Sequence, residues 1–281
     1  MIYKIRRMSR EDLDVAIEWA AKEVWNPGLY DGDSFYKTDP DGFFMGFLDT
    51  EPISSISAVA YGDNFGFLGF YIVKPEYRNK GFGIQIWNTA LKQMGDKNIG
   101  LDGVVAQQES YKKSGFKLAY RNIRYQGKAS VNTSDDSIKT LPASKISFDQ
   151  LVSYDSKMFS VSRSKFLRLW ISQPQSLALG VLGENNLKGY GMVRKCHIGY
   201  RVGPLFAENE RYAEALFTKL MSFAGINTPI FLDVPEPNTA GLKLTKRYKM
   251  KPVFETARMY TKTPPMIDLN KVFGVTSFEL G

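Results

Sequence analysis

Residues 71–84 have the sequence Tyr71-Ile-Val-Lys-Pro-Glu-Tyr-Arg-Asn-Lys-Gly-Phe-Gly-Ile84, and this stretch decides the fold. Its apolar, β-branched start predicts a strand that ends in a basic turn containing glycine. Helical periodicity follows at once, so we expect a strand, a loop and a helix in succession. The first N–H groups of a helix lack internal partners, and the helix dipole is positive there. The turn therefore predicts an anion site, most simply for a phosphorylated cofactor.

The residues of the turn support this prediction. Gly81 and Gly83 carry no Cβ, so a phosphate can approach the backbone closely. Arg78 and Lys80 add positive charge. The chain contains no Walker sequence, and Gly81-Phe-Gly83 lacks the third glycine of the dinucleotide fingerprint.

The pattern outside this stretch predicts a duplicated plan. Residues 1–125 predict elements in the order β-α-β-β-β-α-β-α-β, with an aspartate-rich loop over 29–42. The second half repeats helices and strands in a similar order, and Leu232-Asp-Val-Pro parallels Leu101-Asp-Gly-Val-Val. We expect an α/β protein with an α+β mixed sheet in two domains, residues 1–128 and 144–281, joined by a polar linker over 129–143.

Composition limits the classes of function. The net charge is +8, but Lys and Arg are dispersed and no nucleic-acid-binding motif is present, which argues against a nucleic-acid partner. The single cysteine excludes an internal disulfide and fits a reducing compartment. One histidine and one cysteine cannot form a zinc cluster, so we expect no metal. No secretory signal or membrane span is apparent, and we expect a cytoplasmic protein.

Two motifs together resemble a known family. Arg78-Asn-Lys-Gly81-Phe-Gly83 matches the R-x-x-G-x-G/A signature of the GNAT superfamily of acetyl-CoA-dependent N-acetyltransferases, and Tyr111-Lys-Lys-Ser-Gly-Phe116 resembles its later Y-x-x-x-G-F motif. The resemblance implies a central, mostly antiparallel mixed sheet flanked by helices in each domain. It also implies acetyl-CoA as co-substrate, with a pantetheine arm on the strand at Tyr71, Ile72 and Val73. The pyrophosphate would lie on the backbone amides of Arg78, Asn79, Lys80, Gly81, Phe82, Gly83 and Ile84.

The C-terminal half resembles a GNAT-like domain that is appended to some members of the superfamily. In place of a phosphate loop it has Phe206-Ala-Glu-Asn-Glu-Arg211, without a G-x-G. Glu208 and Glu210 would repel a pyrophosphate. We therefore expect this domain to be degenerate and to bind no cofactor.

The resemblance implies that Tyr111 protonates the departing thiolate of CoA, a role that suits a phenol. The alternative is a tyrosine that merely packs beneath the cofactor. The amine must lose a proton, and the candidates for the base are Glu109, Asp102 and the aspartates of residues 29–42. Each of these also fits a solvated or capping carboxylate, and we expect a structural role for the only histidine, His197.

The acceptor site is the least determined part. In the superfamily the loop after the first helix borders it, which here places Trp25-Asn-Pro-Gly28, Asp31 and Phe35 there. An aspartate-rich entrance would attract a cationic amine, although a capped, solvent-facing loop is equally compatible. Gln107 and Gln108 either contact the acceptor or the pantetheine arm or cap the short helix that follows.

The sequence thus predicts an N-acetyltransferase. It would move the acetyl group of acetyl-CoA to a primary amine by direct attack in a ternary complex. The acceptor would be a small molecule or a peptide; polyamine, aminoglycoside, amino acid and protein amines all stay open. The alternative is an acyl-CoA-binding or regulatory module that has lost turnover, because no base is obvious.

Overall fold

The structure, a computed structural model, describes residues 1–130, 137–184 and 186–281, so residues 131–136 of the predicted linker lie outside it. Within those ranges the chain forms eight α-helices and thirteen strands. The helices are α1 Arg10–Lys22, α2 Asp31–Thr38, α3 Phe82–Met94, α4 Gln108–Lys113, α5 Phe148–Phe159, α6 Ser164–Trp170, α7 Glu210–Phe223 and α8 Thr239–Arg247. The strands are β1 Tyr3–Arg7, β2 Phe43–Leu48, β3 Glu51–Tyr61, β4 Phe65–Val73, β5 Asn98–Val104, β6 Lys117–Lys128, β7 Thr140–Pro142, β8 Ser176–Leu182, β9 Leu187–Lys195, β10 Tyr200–Ala207, β11 Pro229–Pro235, β12 Lys251–Tyr260 and β13 Val272–Gly274.

All thirteen strands belong to one sheet. Its order is β1-β2-β3-β4-β5-β12-β6-β11-β10-β9-β8-β7, and β13 pairs with β10. Among the described strands, only β4 with β5 and β10 with β11 pair in parallel. The predicted α/β class with a mostly antiparallel mixed sheet is confirmed.

The two halves exchange strands β6 and β12. Strand β12 lies between β5 and β6, with Ala257 opposite Gly103 on one side and Arg121 on the other. Strand β6 in turn pairs with β11 of the second half over seven residues. The predicted boundaries at residues 128 and 144 stay a prediction, and the structure adds that residues 251–260 complete the sheet of the first half.

The predicted loop over residues 29–42 is wrong for its central part, which forms α2. Its residues include Asp31, Gly32, Asp33 and Ser34, all poor helix formers, so local propensity gives no hint of a helix. Tertiary packing decides instead, because the Phe35 ring is fully buried and stacks on Trp170 at 5.6 Å.

The two faces of the first half's sheet are covered differently. Helices α3 and α4 cover one face, where α3 buries Ile86, Trp87 and Ala90. Helices α1, α2, α5 and α6 contribute to a larger apolar core, which also contains Phe278 and Leu280 of the C-terminal tail, residues 275–281. The tail therefore packs into the interior rather than on the surface.

Candidate active site

A cleft opens where β4 and β5 separate. The two strands pair in parallel only from Phe65 opposite Asn98 to Leu68 opposite Leu101. Just beyond, Phe70 has a φ of +47°, and the pairing of β3 with β4 shifts register between Ser55 and Ser57. Such an irregularity bends a strand and ends regular pairing. The resulting cleft has a volume of about 410 Å³.

Eight of the ten predicted cofactor-binding residues line this cleft, namely Tyr71, Ile72, Val73, Arg78, Asn79, Gly81, Gly83 and Ile84. The other two point elsewhere. The Lys80 ammonium lies 5.5 Å from the centre of the Tyr77 ring, and the Phe82 ring lies 4.8 Å from that of Tyr3. Any contribution of Lys80 and Phe82 to phosphate binding would come from their backbone.

The turn at the mouth of the cleft has the conformation that its glycines predict. Asn79 and Gly81 both have positive φ values, +61° and +83°. A Cβ on Gly81 would have no neighbour within 4 Å, whereas one on Gly83 would lie 2.7 Å from the Tyr71 hydroxyl. Helix α3 starts directly after Gly81, and within the described structure no side chain caps it. Its first N–H groups are therefore available to an anion.

Arg78 has a second role that the sequence did not indicate. Its Nε donates a hydrogen bond to the carbonyl of Val73 at 2.8 Å, and its guanidinium forms an ion pair with Glu23 at the end of α1. The side chain thus ties the turn to β4, and its charge is shared with Glu23 rather than left free for a phosphate.

Tyr111 lines the cleft, as a proton donor to the ligand would. Its ring is buried and stacks on Trp87 at 5.5 Å. A Cβ at position 103 would lie 2.1 Å from this ring, so Gly103 of β5 makes room for it. Burial raises the pKa of the Tyr111 phenol, with a smaller contribution from Tyr71. The phenol is therefore protonated at neutral pH.

The predicted bases are engaged elsewhere. Asp102 lines the cleft but accepts hydrogen bonds from Arg258 Nε at 2.9 Å and from Asn122 Nδ2 at 2.8 Å. Glu109 lies outside the cleft, with a side chain that is 79% exposed and bound to Lys112 at 2.7 Å.

The four aspartates of residues 29–42 are likewise occupied and lie outside the cleft. Buried Asp31 pairs with Arg194 at 2.9 Å, and Asp39 accepts the Ala60 N–H at 2.9 Å. The partners of Asp33 and Asp41 are Arg10 and Arg7. The expected aspartate-rich entrance is not formed by these residues.

Of the residues predicted to border the acceptor site after α1, Trp25 lines the cleft, and Asn26, Pro27, Gly28, Asp31 and Phe35 do not. Asn26 exchanges two side-chain hydrogen bonds with the backbone of Ile198, at 2.9 and 2.8 Å. The His197 N–H donates to the Pro27 carbonyl at 3.2 Å, so the loop is fixed to the second half. Of the two glutamines, Gln107 lines the cleft and Gln108 begins α4.

The second half supplies four cleft residues that sequence reasoning missed: Phe254, Thr256, Phe278 and Glu279. The first two lie on the exchanged strand β12, and the others lie in the C-terminal tail. One signal was available, since Glu279 is the only charged residue between Val272 and Leu280. A lone acid in an apolar stretch is a candidate functional group.

The equivalent opening in the second half is filled by the chain itself. Strands β10 and β11 pair only up to Val202 opposite Leu232, and β13 then enters beside β10. The next residue, Val275, donates its N–H to the Asp233 carbonyl of β11 at 2.9 Å. At the following helix, Asn209 caps α7 by accepting the Tyr212 N–H, so one N–H group of that helix start is already bonded.

Comparisons with known proteins agree with this geometry. Residues 4–116 match the model of the acetyltransferase (GNAT) family, and residues 151–274 match that of an acetyltransferase (GNAT) domain. A holothin acyltransferase from Pseudoalteromonas sp. (strain SANK 73390) is 30% identical over 274 residues, which cover 97% of this chain and 92% of the relative. The chain belongs to the GNAT acetyltransferase family. This GNAT protein is accordingly an acyltransferase with a second GNAT-like domain.

Solved structures show the same fold at low sequence identity. A proposed acetyltransferase from Pyrococcus horikoshii superimposes with a TM-score of 0.83 at 23% identity, covering 99% of this GNAT chain and 96% of that one. A tandem GNAT protein from the clavulanic acid biosynthesis pathway gives 0.65 at 10% identity, covering 94% and 100%. Each helix in the described ranges of this GNAT protein is too short or too polar to span a bilayer. The same ranges contain no cluster of three or more potential metal ligands.

Proposed function

We propose that the protein is an N-acetyltransferase that moves the acetyl group of acetyl-CoA to a primary amine. The observation that carries the proposal is the open cleft between β4 and β5, with the uncapped start of α3 at its mouth. Acetyl-CoA would supply an activated thioester, and the chain's own residues would hold it and move the protons.

The cleft fits an elongated, phosphorylated co-substrate. Pairing of β4 with β5 ends at Leu68, so Tyr71, Ile72 and Val73 have no partner on β5 in the part of the chain described, and the Val73 carbonyl is bonded to Arg78 Nε instead. An extended amide-containing arm can hydrogen-bond the edge of a strand as an added strand would. The backbone amides from Arg78 to Ile84 lie where this arm would leave the protein, which suits the pyrophosphate.

Tyr111 is the proposed proton donor. The amine nitrogen forms a bond to the carbonyl carbon as the carbon–sulfur bond breaks, and the sulfur leaves with a negative charge. Tyr111 lines the same cleft as a protonated phenol and would donate its proton to this sulfur.

One acetyl-CoA per chain follows from the difference between the halves. In the second half β13 occupies the space between β10 and β11, and Glu208 and Glu210 flank the start of α7. These two carboxylates pair with Lys271 and Arg247 at 2.8 and 2.9 Å. A pyrophosphate would have to displace a strand and approach two carboxylates.

The test is release of free CoA thiol from acetyl-CoA in the presence of an amine panel. The panel should contain polyamines, aminoglycosides, amino acids, a lysine peptide and holothin, because a relative is a holothin acyltransferase. Release that depends on one amine class supports the transferase. Tight acetyl-CoA binding without amine-dependent release across the panel would favour the acyl-CoA-binding or regulatory module.

A further inference from the structure

Three carboxylates line the cleft, and they differ in how they are held. Glu23 forms an ion pair with Arg78, and Asp102 forms a two-point ion pair with Arg258. Glu279 is different, because neither carboxylate oxygen has a hydrogen-bond partner among the described residues. It is also only 2% exposed. A buried carboxylate without partners is costly and therefore rarely retained without a role.

The backbone around Glu279 is fixed even though its carboxylate is not. The Leu280 carbonyl accepts a hydrogen bond from the Tyr61 hydroxyl at 2.9 Å, and the Gly281 carbonyl accepts one from Arg163 Nη1 at 2.9 Å. A Cβ on Gly69 would lie 2.1 Å from the Glu279 carbonyl oxygen. The tail is therefore held against β4 at the point where β4 leaves β5.

This position is the inner end of the cleft. From Gly69 to Val73 the strand covers four residues, or about 13 Å at 3.3 Å per residue. The turn that would hold the pyrophosphate follows Val73, so the reacting end of an arm laid along β4 would lie toward Gly69. Glu279 therefore lies at the end of the cleft where the acyl group and the amine would meet.

The charges near Glu279 come from several strands and one helix. Burial raises the pKa of its carboxyl, Asp31 adds to the rise, and Arg201, Arg124 and Arg194 oppose it. Arg124 and Arg194 are themselves shared with other acids, since Arg124 pairs with Asp233 at 2.7 Å and Arg194 with Asp31. Arg201 lies 3.8 Å from Asp233, and its Nε and Nη1 have no hydrogen-bond partner among the described residues. The buried thiol of Cys196 lies near the same three arginines and Asp31.

We propose that Glu279 is the base that accepts the proton of the attacking amine, an inference that rests on the proposed N-acetyltransferase function. The amine lone pair forms the new C–N bond, one N–H proton passes to the Glu279 carboxylate, and the C–S bond electrons leave with sulfur. The sulfur takes its proton from Tyr111. The Glu279 carboxyl then gives up its proton and the Tyr111 phenolate regains one through solvent. Nothing is oxidised or reduced, and the net result is one proton moved from nitrogen to sulfur.

In this proposal the second domain supplies a catalytic residue to the first. Residues 272–274 fill its own cleft as β13, and five residues after that strand the same segment places Glu279 in the cleft of the first half. The degenerate domain would complete the active site instead of forming a second one.

The test compares Glu279→Gln with Glu255→Gln. Glu255 lies on β12 between two cleft residues, but its side chain is 44% exposed and pairs with Arg121, so it controls for the same chemical change outside the cleft. For Glu279→Gln we expect unchanged acetyl-CoA affinity by calorimetry and a fall in kcat of about 10²- to 10⁴-fold. The acidic limb of the pH–rate profile should disappear. Glu255→Gln should keep the wild-type rate and profile.

Glu279→Asp is the second variant, because it keeps the charge and removes one methylene. We expect a reduced kcat with the acidic limb retained, which a purely structural role would not produce. Wild-type rate and pH profile in Glu279→Gln would overturn the inference while leaving the proposed function standing. Absence of amine-dependent thiol release in the wild type would instead overturn the proposed function.

Discussion

Substitution of Gly81 by alanine separates the strain of the turn from its proposed role in binding. Gly81 has a φ of +83° and no neighbour within 4 Å of an added Cβ, and Gly62 has a φ of +68° and equally open surroundings. Both Gly→Ala changes force an L-residue into the left-handed region, at about 1–2 kcal/mol each. Gly62 lies in the turn between β3 and β4 and does not line the cleft.

Only Gly81→Ala should weaken acetyl-CoA binding. The added methyl group would keep the phosphate from approaching the backbone closely. Loss of one hydrogen bond to a charged phosphate costs about 1.5–3 kcal/mol, which corresponds to a Kd roughly 10- to 150-fold higher. Calorimetric titration gives the Kd, and urea unfolding gives the stability of both variants. Equal destabilisation of the two with a higher Kd only for Gly81→Ala is the expected result. An unchanged Kd for Gly81→Ala would refute the assignment of this turn to the pyrophosphate.

Three further predictions concern the cleft. Tyr111→Phe should lower kcat by about 10²- to 10⁴-fold with little change in acetyl-CoA affinity; wild-type turnover would exclude Tyr111 as the proton donor. Asp102→Asn should lower the free energy of unfolding by about 3–5 kcal/mol, because it leaves buried Arg258 without its charge partner; a loss below about 1 kcal/mol in urea would contradict this. Because burial raises the pKa of Glu279, its ionisation opposes folding. This destabilisation is absent below the unfolded pKa of about 4.3 and grows as pH rises through the folded pKa. Glu279→Gln should therefore raise the Tm above that of the wild type by more at pH 8 than at pH 4. A Tm difference that does not change with pH would contradict the raised pKa of Glu279.

Local patterns were sufficient where neighbouring residues determine the structure. The helix predicted over 82–94 forms over Phe82–Met94, because glycine at its start and an apolar stripe along it act within the segment. Helix α2 was missed because its residues are poor helix formers, and a distant partner, Trp170, fixes Phe35. The exchange of β12 could not be predicted either, since strand pairing between residues far apart leaves no local pattern.

The residues of the candidate site also fall into two groups: those that a local motif predicts and those whose surroundings only the fold determines. The turn proposed to bind phosphate and Tyr111 belong to motifs of adjacent residues, so both could be predicted from the sequence, and both line the same cleft. The candidate bases stay a prediction, but the fold pairs two of them with arginines far away in sequence, Asp31 with Arg194 and Asp102 with Arg258, and no local pattern indicates such pairing. Glu279 is the opposite case, because only the fold shows that its carboxylate has no hydrogen-bond partner among the described residues.

The stoichiometry of acetyl-CoA binding tests the central claim most directly. The opening between β4 and β5 forms a cleft, whereas the one between β10 and β11 is filled by β13. Calorimetric titration of the wild-type chain should therefore give one acetyl-CoA per chain, and Gly81→Ala should weaken that single site. Two sites per chain, or no binding at all, would contradict the account.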